Sequence, residues 1–228
     1  MRATALGLLL LALAFLVTSP PGVLGGEPAD CERQMAFAES LFGESDFYRA
    51  IGEYKRLIFL CPDAKELCER AYFKIGLSYF KAEKWQNARE AFDTFLDNFP
   101  DSRMAGEALY FKGLSEKNLS LHEEAFATFA RIIEIKAGEP RARAIYESAL
   151  VLVEMEEWKR AEEMFSRVPE QSELHGSAGI FSAGLAQIDN LPQKSPGVAG
   201  TLAAVLPGAG HLYTERPKDA LVAFLLNG

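Results

Sequence analysis

Histidine and cysteine are scarce in this sequence of 228 residues, which contains three of each. The histidines lie far apart, and the cysteines match neither a paired zinc-ligand spacing nor a redox-active C-x-x-C. Phosphate-binding glycine loops and the G-x-S-x-G turn of serine hydrolases are also absent from the sequence. The sequence therefore predicts a protein that is not an enzyme and has no metal or cofactor.

Positive charge is in deficit, with 24 Lys and Arg against 32 Asp and Glu, a formal net charge of −8. Nucleic-acid binding needs clustered Lys and Arg to neutralise phosphates, and no basic stripe occurs. We therefore exclude nucleic acid as a partner. The composition, 49% hydrophobic and 25% charged, is typical of one folded domain with short appendages.

The N-terminal 25 residues have the composition of a secretory signal peptide. Arg2 precedes an uncharged run from Ala5 to Val17, and Val23-Leu24-Gly25 offers small residues for cleavage. The run is shorter than the ~20 residues of a membrane span, although an uncleaved anchor is the alternative. Cleavage also removes Arg2 and leaves a net charge of about −9, so we expect an acidic, exported protein.

All three cysteines lie in the first third of the chain. In an oxidising compartment such thiols tend to pair, and one of three must be left over. A bridge between Cys61 and Cys68 would pin a repeat junction. A bridge between Cys31 and Cys61 is the close alternative, because the end of a hairpin's second helix lies near the start of its first. Buried unpaired thiols are the third reading.

The segment 71–100, AYFKIGLSYFKAEKWQNAREAFDTFLDNFP, predicts a helical hairpin. Its large apolar residues recur at helical spacing in each half. Small Gly76 and Ala88 let the two helices approach closely, and the turn around Pro100 ends the second one. A lone hairpin of this size cannot bury its apolar stripe, so further copies are expected.

The pattern recurs along the chain. A forward shift of 37 residues places Ala125 and Phe129 on Ala88 and Phe92, a backward shift of 38 residues finds an earlier copy, and a further 36 residues reach Phe165. The sequence therefore contains four related units, and we expect Phe92, Phe129 and Phe165 to be buried. Residues 171–190 predict one more amphipathic helix that caps the last hairpin.

This order of glycine or alanine, aromatic, alanine, aromatic and proline resembles the tetratricopeptide repeat (TPR), most fully at Gly76, Trp85, Ala88, Phe92 and Pro100. The endings around Pro62 and Pro100 are similar to repeats of bacterial periplasmic proteins related to the lipoprotein BamD and the cell-division coordinator. The resemblance implies an all-α, right-handed α-solenoid of about four hairpins plus a capping helix, in a repeat domain at 26–190.

In that family the first helix of each hairpin lines a concave groove that binds protein partners. The positions that carry over here are Arg70, Phe73, Lys74, Leu77, Tyr110, Phe111, Leu114, Arg143, Tyr146 and Leu150. We expect this stripe to lie off the hairpin core and to hold a peptide by apolar burial, with charges fixing its direction. The alternative is that these side chains pack between adjacent hairpins or against the capping helix.

The C-terminal part changes character after a predicted linker at 191–197. Residues 198–228 form two short apolar runs around Pro207-Gly208-Ala209-Gly210, an arrangement similar to small bacterial membrane modules. Neither run is long enough to cross a bilayer alone. We expect an apolar helical hairpin that contacts a membrane and belongs to a longer protein; a re-entrant or interfacial hairpin and a hairpin docked on the repeats are the alternatives.

These features predict a scaffold in the bacterial periplasm that binds envelope proteins or peptides through the groove. The alternative is a membrane protein whose main function lies in its C-terminal module, with the repeats as an accessory domain. A glycan-processing enzyme finds no support, since no acidic pair is indicated in a cleft.

Overall fold

The computed structural model describes residues 28–186 and 196–205, and every regular element in these ranges is an α-helix. The signal peptide at 1–25, most of the linker and the C-terminal run beyond residue 205 lie outside the described residues. The helices are α1 Pro28–Gly43, α2 Phe47–Leu60, α3 Lys65–Lys81, α4 Trp85–Asn98, α5 Ala105–Asn118, α6 His122–Ile135, α7 Glu139–Glu154, α8 Trp158–Ser166, α9 His175–Leu185 and α10 Pro196–Val205.

The first eight helices follow the four predicted pairs in order. The predicted hairpin at 71–100 is α3 and α4, and the short second helix of the last pair is α8, with nine residues. The predicted capping helix is present as α9, but it begins later than expected, at His175. An all-α fold is confirmed.

Each pair turns through the same backbone motif. Ser45, Glu83, Ser120 and Glu156 all have a positive φ, between 55° and 62°. In the second pair, the Lys84 amide donates to Tyr79 O and the Glu83 amide donates to Phe80 O, the two bonds of a Schellman helix ending. The steps from 45 to 83, 83 to 120 and 120 to 156 are the 38, 37 and 36 residues that separate the sequence repeats, so the backbone repeats in register with the side chains.

The chain divides into two compact units, with the boundary between Thr128 and Phe129 inside α6. In the first unit each of α1 to α4 packs on the next helix, and α3 also contacts α1 and α5. Its largest fully buried side chains include Tyr54, Leu57, Phe92 and Phe95. Burial of these apolar surfaces, at roughly 25 cal/mol per Å², is the main force that holds the hairpins together.

In the second unit α8 packs between α7 and α9. Its core contains Ile145, Phe165, Val168 and Ala178. The rings of Phe92, Phe129 and Phe165 are each at most 1% exposed, which confirms the predicted burial of the repeated aromatic position.

Candidate interaction surface

The predicted groove residues of the first unit lie on two first helices, α3 and α5, that are in contact. They divide into a layer that remains accessible and a layer that lies beneath it. The accessible layer, which we call the first-helix face, consists of Arg70, Lys74, Leu77, Tyr110 and Leu114.

Phe73 does not belong to the accessible layer. Its side chain is only 6% exposed, and its ring centre lies 5.8 Å from that of Phe92, 5.7 Å from Phe95 and 6.4 Å from Phe111. The prediction that this position lies off the hairpin core is therefore wrong. Phe73 packs on α4 inside its own hairpin and on Phe111 of the next hairpin, and the second of these contacts is the alternative that the sequence left open.

Phe111 has a similar supporting role. Its half-buried ring stacks on Phe92 at 5.9 Å with 13° between the planes, and it meets the edge of Phe80 at 5.0 Å. Tyr110, half-buried, makes an edge contact with Phe111 at 5.8 Å. A rigid aromatic layer thus holds Tyr110 in position on the first-helix face.

The two cations of this face already have partners on α1. Arg70 donates to the Glu39 carboxylate at 2.9 Å, and Lys74 Nζ lies 4.6 Å from the centre of the Phe42 ring. Both contacts leave the cations accessible: 46% of the Arg70 side chain is exposed, and Lys74 is partly exposed. Such exposed pairs contribute little to stability, so either cation can exchange its partner for a bound carboxylate at small cost.

In the second unit, the predicted residues Arg143, Tyr146 and Leu150 lie on α7. Arg143 is exposed, whereas Tyr146 packs on Phe165 at 5.4 Å and on Phe181 at 6.3 Å, and Leu150 joins the same apolar cluster. Tyr146 therefore supports the packing of α8 and α9, so the expectation that it lies off the core is wrong as well.

One disulfide is present, between Cys31 and Cys61, with the two Cα atoms 6.1 Å apart. It joins the start of α1 to the residue after α2, so the predicted Cys61–Cys68 bridge is wrong and the hairpin-closing alternative is right. Cys68 is buried with a free thiol that donates to the Cys61 carbonyl oxygen at 3.2 Å. Burial raises the pKa of this thiol, which disfavours the reactive thiolate.

The sequence did not predict a pocket that opens between α2 and α4. This outer pocket has a volume of about 300 Å³, and Tyr72, Ile75 and Tyr79 of α3 form its floor. Lys55 lines the α2 wall and Asn87, Glu90 and Thr94 line the α4 wall. The spacing of apolar residues in the sequence could not indicate this pocket, because its floor residues follow the same helical period as residues that are fully buried.

Within residues 28–186 and 196–205, no cluster of three or more His, Cys, Asp or Glu side chains is arranged to hold a metal ion. In the same ranges, no helix is both long and apolar enough for a membrane span.

Comparison with known proteins identifies one repeat directly: residues 70–102 match the tetratricopeptide repeat family. Among solved structures, the TPR protein YrrB is 19% identical, with a TM-score of 0.55 over 83% of this chain and 89% of that one. MamA is 18% identical, with a TM-score of 0.51 over 86% and 88%. No curated protein sequence matches. The fold is that of a TPR-like helical repeat.

Proposed function

We propose that this protein is a non-catalytic adaptor that binds partner proteins or peptides through the first-helix face. The observation that carries the proposal is the TPR-like fold with half-buried Leu77, Tyr110 and Leu114 beside the exposed cation of Arg70. Recognition of this kind needs apolar side chains on a rigid support, with charged groups at the rim.

The chemistry of the face suggests the class of partner. Leu77 and Leu114 present aliphatic surface, and Arg70 and Lys74 supply two cations on successive turns of α3. An extended or helical segment with apolar anchors and one or two carboxylates meets both requirements. YrrB, which has this fold, is described as having a peptide-binding site, which agrees with a peptide as the partner.

Export to the bacterial periplasm is part of this proposal. The first 25 residues carry the composition of a signal peptide, and the Cys31–Cys61 bridge suits an oxidising compartment, where disulfides persist. The partners are then proteins of the cell envelope.

Selection of peptides from a random library on the 228-residue chain tests the proposal. We expect the selected peptides to bind the wild type and to lose binding to a Leu77→Glu/Leu114→Glu variant, because two carboxylates would then occupy the apolar part of the face. Arg56→Glu on the exposed side of α2 is the control and retains binding. Equal binding by all three proteins would overturn the proposal.

The composition of α10 favours a second candidate, a membrane-associated protein with the repeats as an accessory domain. This helix has no charged residue, and Leu202 is 37% exposed. Such a surface is suited to cover by lipid or by another apolar helix. Flotation with vesicles separates the candidates: carbonate-resistant association of the whole chain favours the membrane module, and recovery in the unbound fraction favours the adaptor.

A further inference from the structure

The outer pocket lies on the opposite side of α3 from the first-helix face. At 100° per residue, Tyr72, Ile75 and Tyr79 cluster on one side of this helix. Arg70, Lys74 and Leu77 cluster about half a turn away from them. The two surfaces of the first unit are therefore separate, and a ligand in the outer pocket does not compete directly with one on the first-helix face.

Hydrogen-bonding groups without internal partners line this pocket. Among the described residues, Lys55 has no carboxylate partner, and its Nζ lies over the Tyr79 ring at 6.0 Å. The side chains of Asn87 and Tyr79 make no hydrogen bond within the described part of the chain. Glu90, by contrast, accepts a hydrogen bond from Gln86 at 2.6 Å. The pocket thus offers mainly unused donors.

These donors converge at one end of the pocket. Helix α4 runs antiparallel to α3 after a turn of three residues, so Asn87, near the start of α4, lies beside the C-terminal part of α3 that carries Tyr79. Lys55 lies over the same tyrosine. One end of the pocket therefore combines a cation, an amide and a phenol, whereas Ile75 and the Tyr72 ring supply apolar surface along the floor.

The size of the pocket limits what enters it. A volume of about 300 Å³ is at the lower limit for small-ligand sites. A whole helix, which is about 10 Å wide, needs more room than this. A single large side chain fits, and the floor of tyrosine and isoleucine suits an aromatic ring.

We propose that the outer pocket binds a partner peptide that carries an aromatic side chain next to a carboxylate. The aromatic ring lies on Ile75 and Tyr72, and the carboxylate pairs with Lys55 and accepts a hydrogen bond from Asn87. Charge complementarity supports an acidic peptide, because Lys55 has no carboxylate partner among the described residues. The one acidic side chain of the lining, Glu90 on the α4 wall, is hydrogen-bonded to Gln86 instead. With the first-helix face on the other side of α3, one unit of the chain can hold two partners at once.

Fluorescence anisotropy with labelled eight-residue peptides tests the ligand chemistry. A peptide with a central Glu-Phe pair is expected to bind the 228-residue chain, and binding falls about tenfold with Glu-Ala, which lacks the ring. It falls about threefold to fivefold with Gln-Phe, which lacks the charge, and this difference shrinks at high salt. Equal affinity for all three peptides would overturn the proposal.

Two matched pairs of variants test the location. Lys55→Met is expected to weaken the Glu-Phe peptide about threefold to fivefold, whereas Arg56→Met, the same change one residue along α2, leaves it unaltered. Thr94→Trp places an indole across the pocket from an exposed position and removes binding, whereas Asp97→Trp, one turn further along α4 and outside the pocket, retains it. Thermal unfolding of each variant shows that the fold is intact.

The first-helix variant Leu77→Glu/Leu114→Glu distinguishes this proposal from the adaptor function. If that variant still binds the Glu-Phe peptide and Thr94→Trp does not, the peptide binds in the outer pocket. This conclusion holds whether or not the first-helix face has a ligand of its own. The reverse pattern would place the peptide on the first-helix face; it would support the adaptor function and overturn the outer pocket.

Discussion

A β-carbon on Gly76 would lie 2.7 Å from the nearest atom of the Phe92 ring. Ordinary contacts of this kind are at least about 3.4 Å long, so the ring occupies the space that any side chain at position 76 would need. The fully buried ring packs directly on the backbone of α3. This contact sets how closely α3 and α4 approach, and it is the reason that this hairpin has glycine at position 76.

Gly76→Ala is therefore expected to destabilise the first unit by about 1–3 kcal/mol, because the methyl group forces the Phe92 ring out of its site. Gly52→Ala is the matched control: position 52 lies within α2, and apart from the adjoining backbone of that helix no atom is within 4 Å of a β-carbon there. It should stabilise the helix by roughly 0.5–1 kcal/mol. Urea unfolding followed by circular dichroism measures both. A destabilised control with an unaffected Gly76→Ala would refute the contact.

The left-handed turn residues are expected to show the opposite effect from Gly76: replacing one of them with glycine should stabilise the protein. Glu83 has a φ of 55°, a conformation that costs an L-residue roughly 1 kcal/mol and glycine nothing. Glu83→Gly should raise the free energy of unfolding by up to about 1 kcal/mol. Arg56→Gly, on the exposed side of α2, should lower it by a similar amount. Thermal unfolding of both variants shows whether the change in stability has opposite signs at the two positions.

The Cys31–Cys61 bridge is expected to contribute about 3–4 kcal/mol, since it closes a loop with a sequence separation of 30 residues in the unfolded chain. Cys31→Ala should lose this amount, and Cys68→Ala should cost less, because only a buried thiol is removed. Peptide mapping under non-reducing conditions should recover the 31–61 pair, with one thiol that reacts only after unfolding. A 61–68 pair would contradict the structure.

Stability is expected to depend on the ionisation of Glu116. This carboxyl is 3% exposed; it accepts a hydrogen bond from Thr128 at 2.6 Å and lies 3.7 Å from Lys112 Nζ. Burial is the largest cause that raises its pKa above the usual 4.5, and the like charge of Asp93 adds to it, while the Thr128 hydrogen bond and the Lys112 and Arg89 charges act against it.

Because the raised pKa belongs to the folded state, the unfolded state releases the proton first as the pH rises. Ionisation of Glu116 therefore costs stability above about pH 4.5, and the cost is complete once the pH exceeds the folded pKa. Glu116→Gln keeps the acceptor for Thr128, so its stability relative to wild type should increase between pH 4 and pH 7.5. A difference that is the same at both pH values would refute this assignment.

The helical pairs and the core residues of each unit were predictable because a buried aromatic must recur once per hairpin, and that requirement is local in sequence. Gly76, Phe92, Phe129 and Phe165 were identified in this way. Phe73 was misplaced because helical spacing gives the side of α3 on which a residue lies but not what covers that side. The neighbouring α5 brings Phe111 against it and removes it from the surface.

The sequence by itself determined the period, the helix pairing and the close contact at Gly76, since each follows from side-chain size at fixed intervals along one hairpin. Only the tertiary structure decided which cysteines pair, which first-helix side chains stay accessible, and that a pocket opens between α2 and α4. These depend on distances between separate helices, which are set by how whole side chains pack against one another rather than by their spacing along the chain.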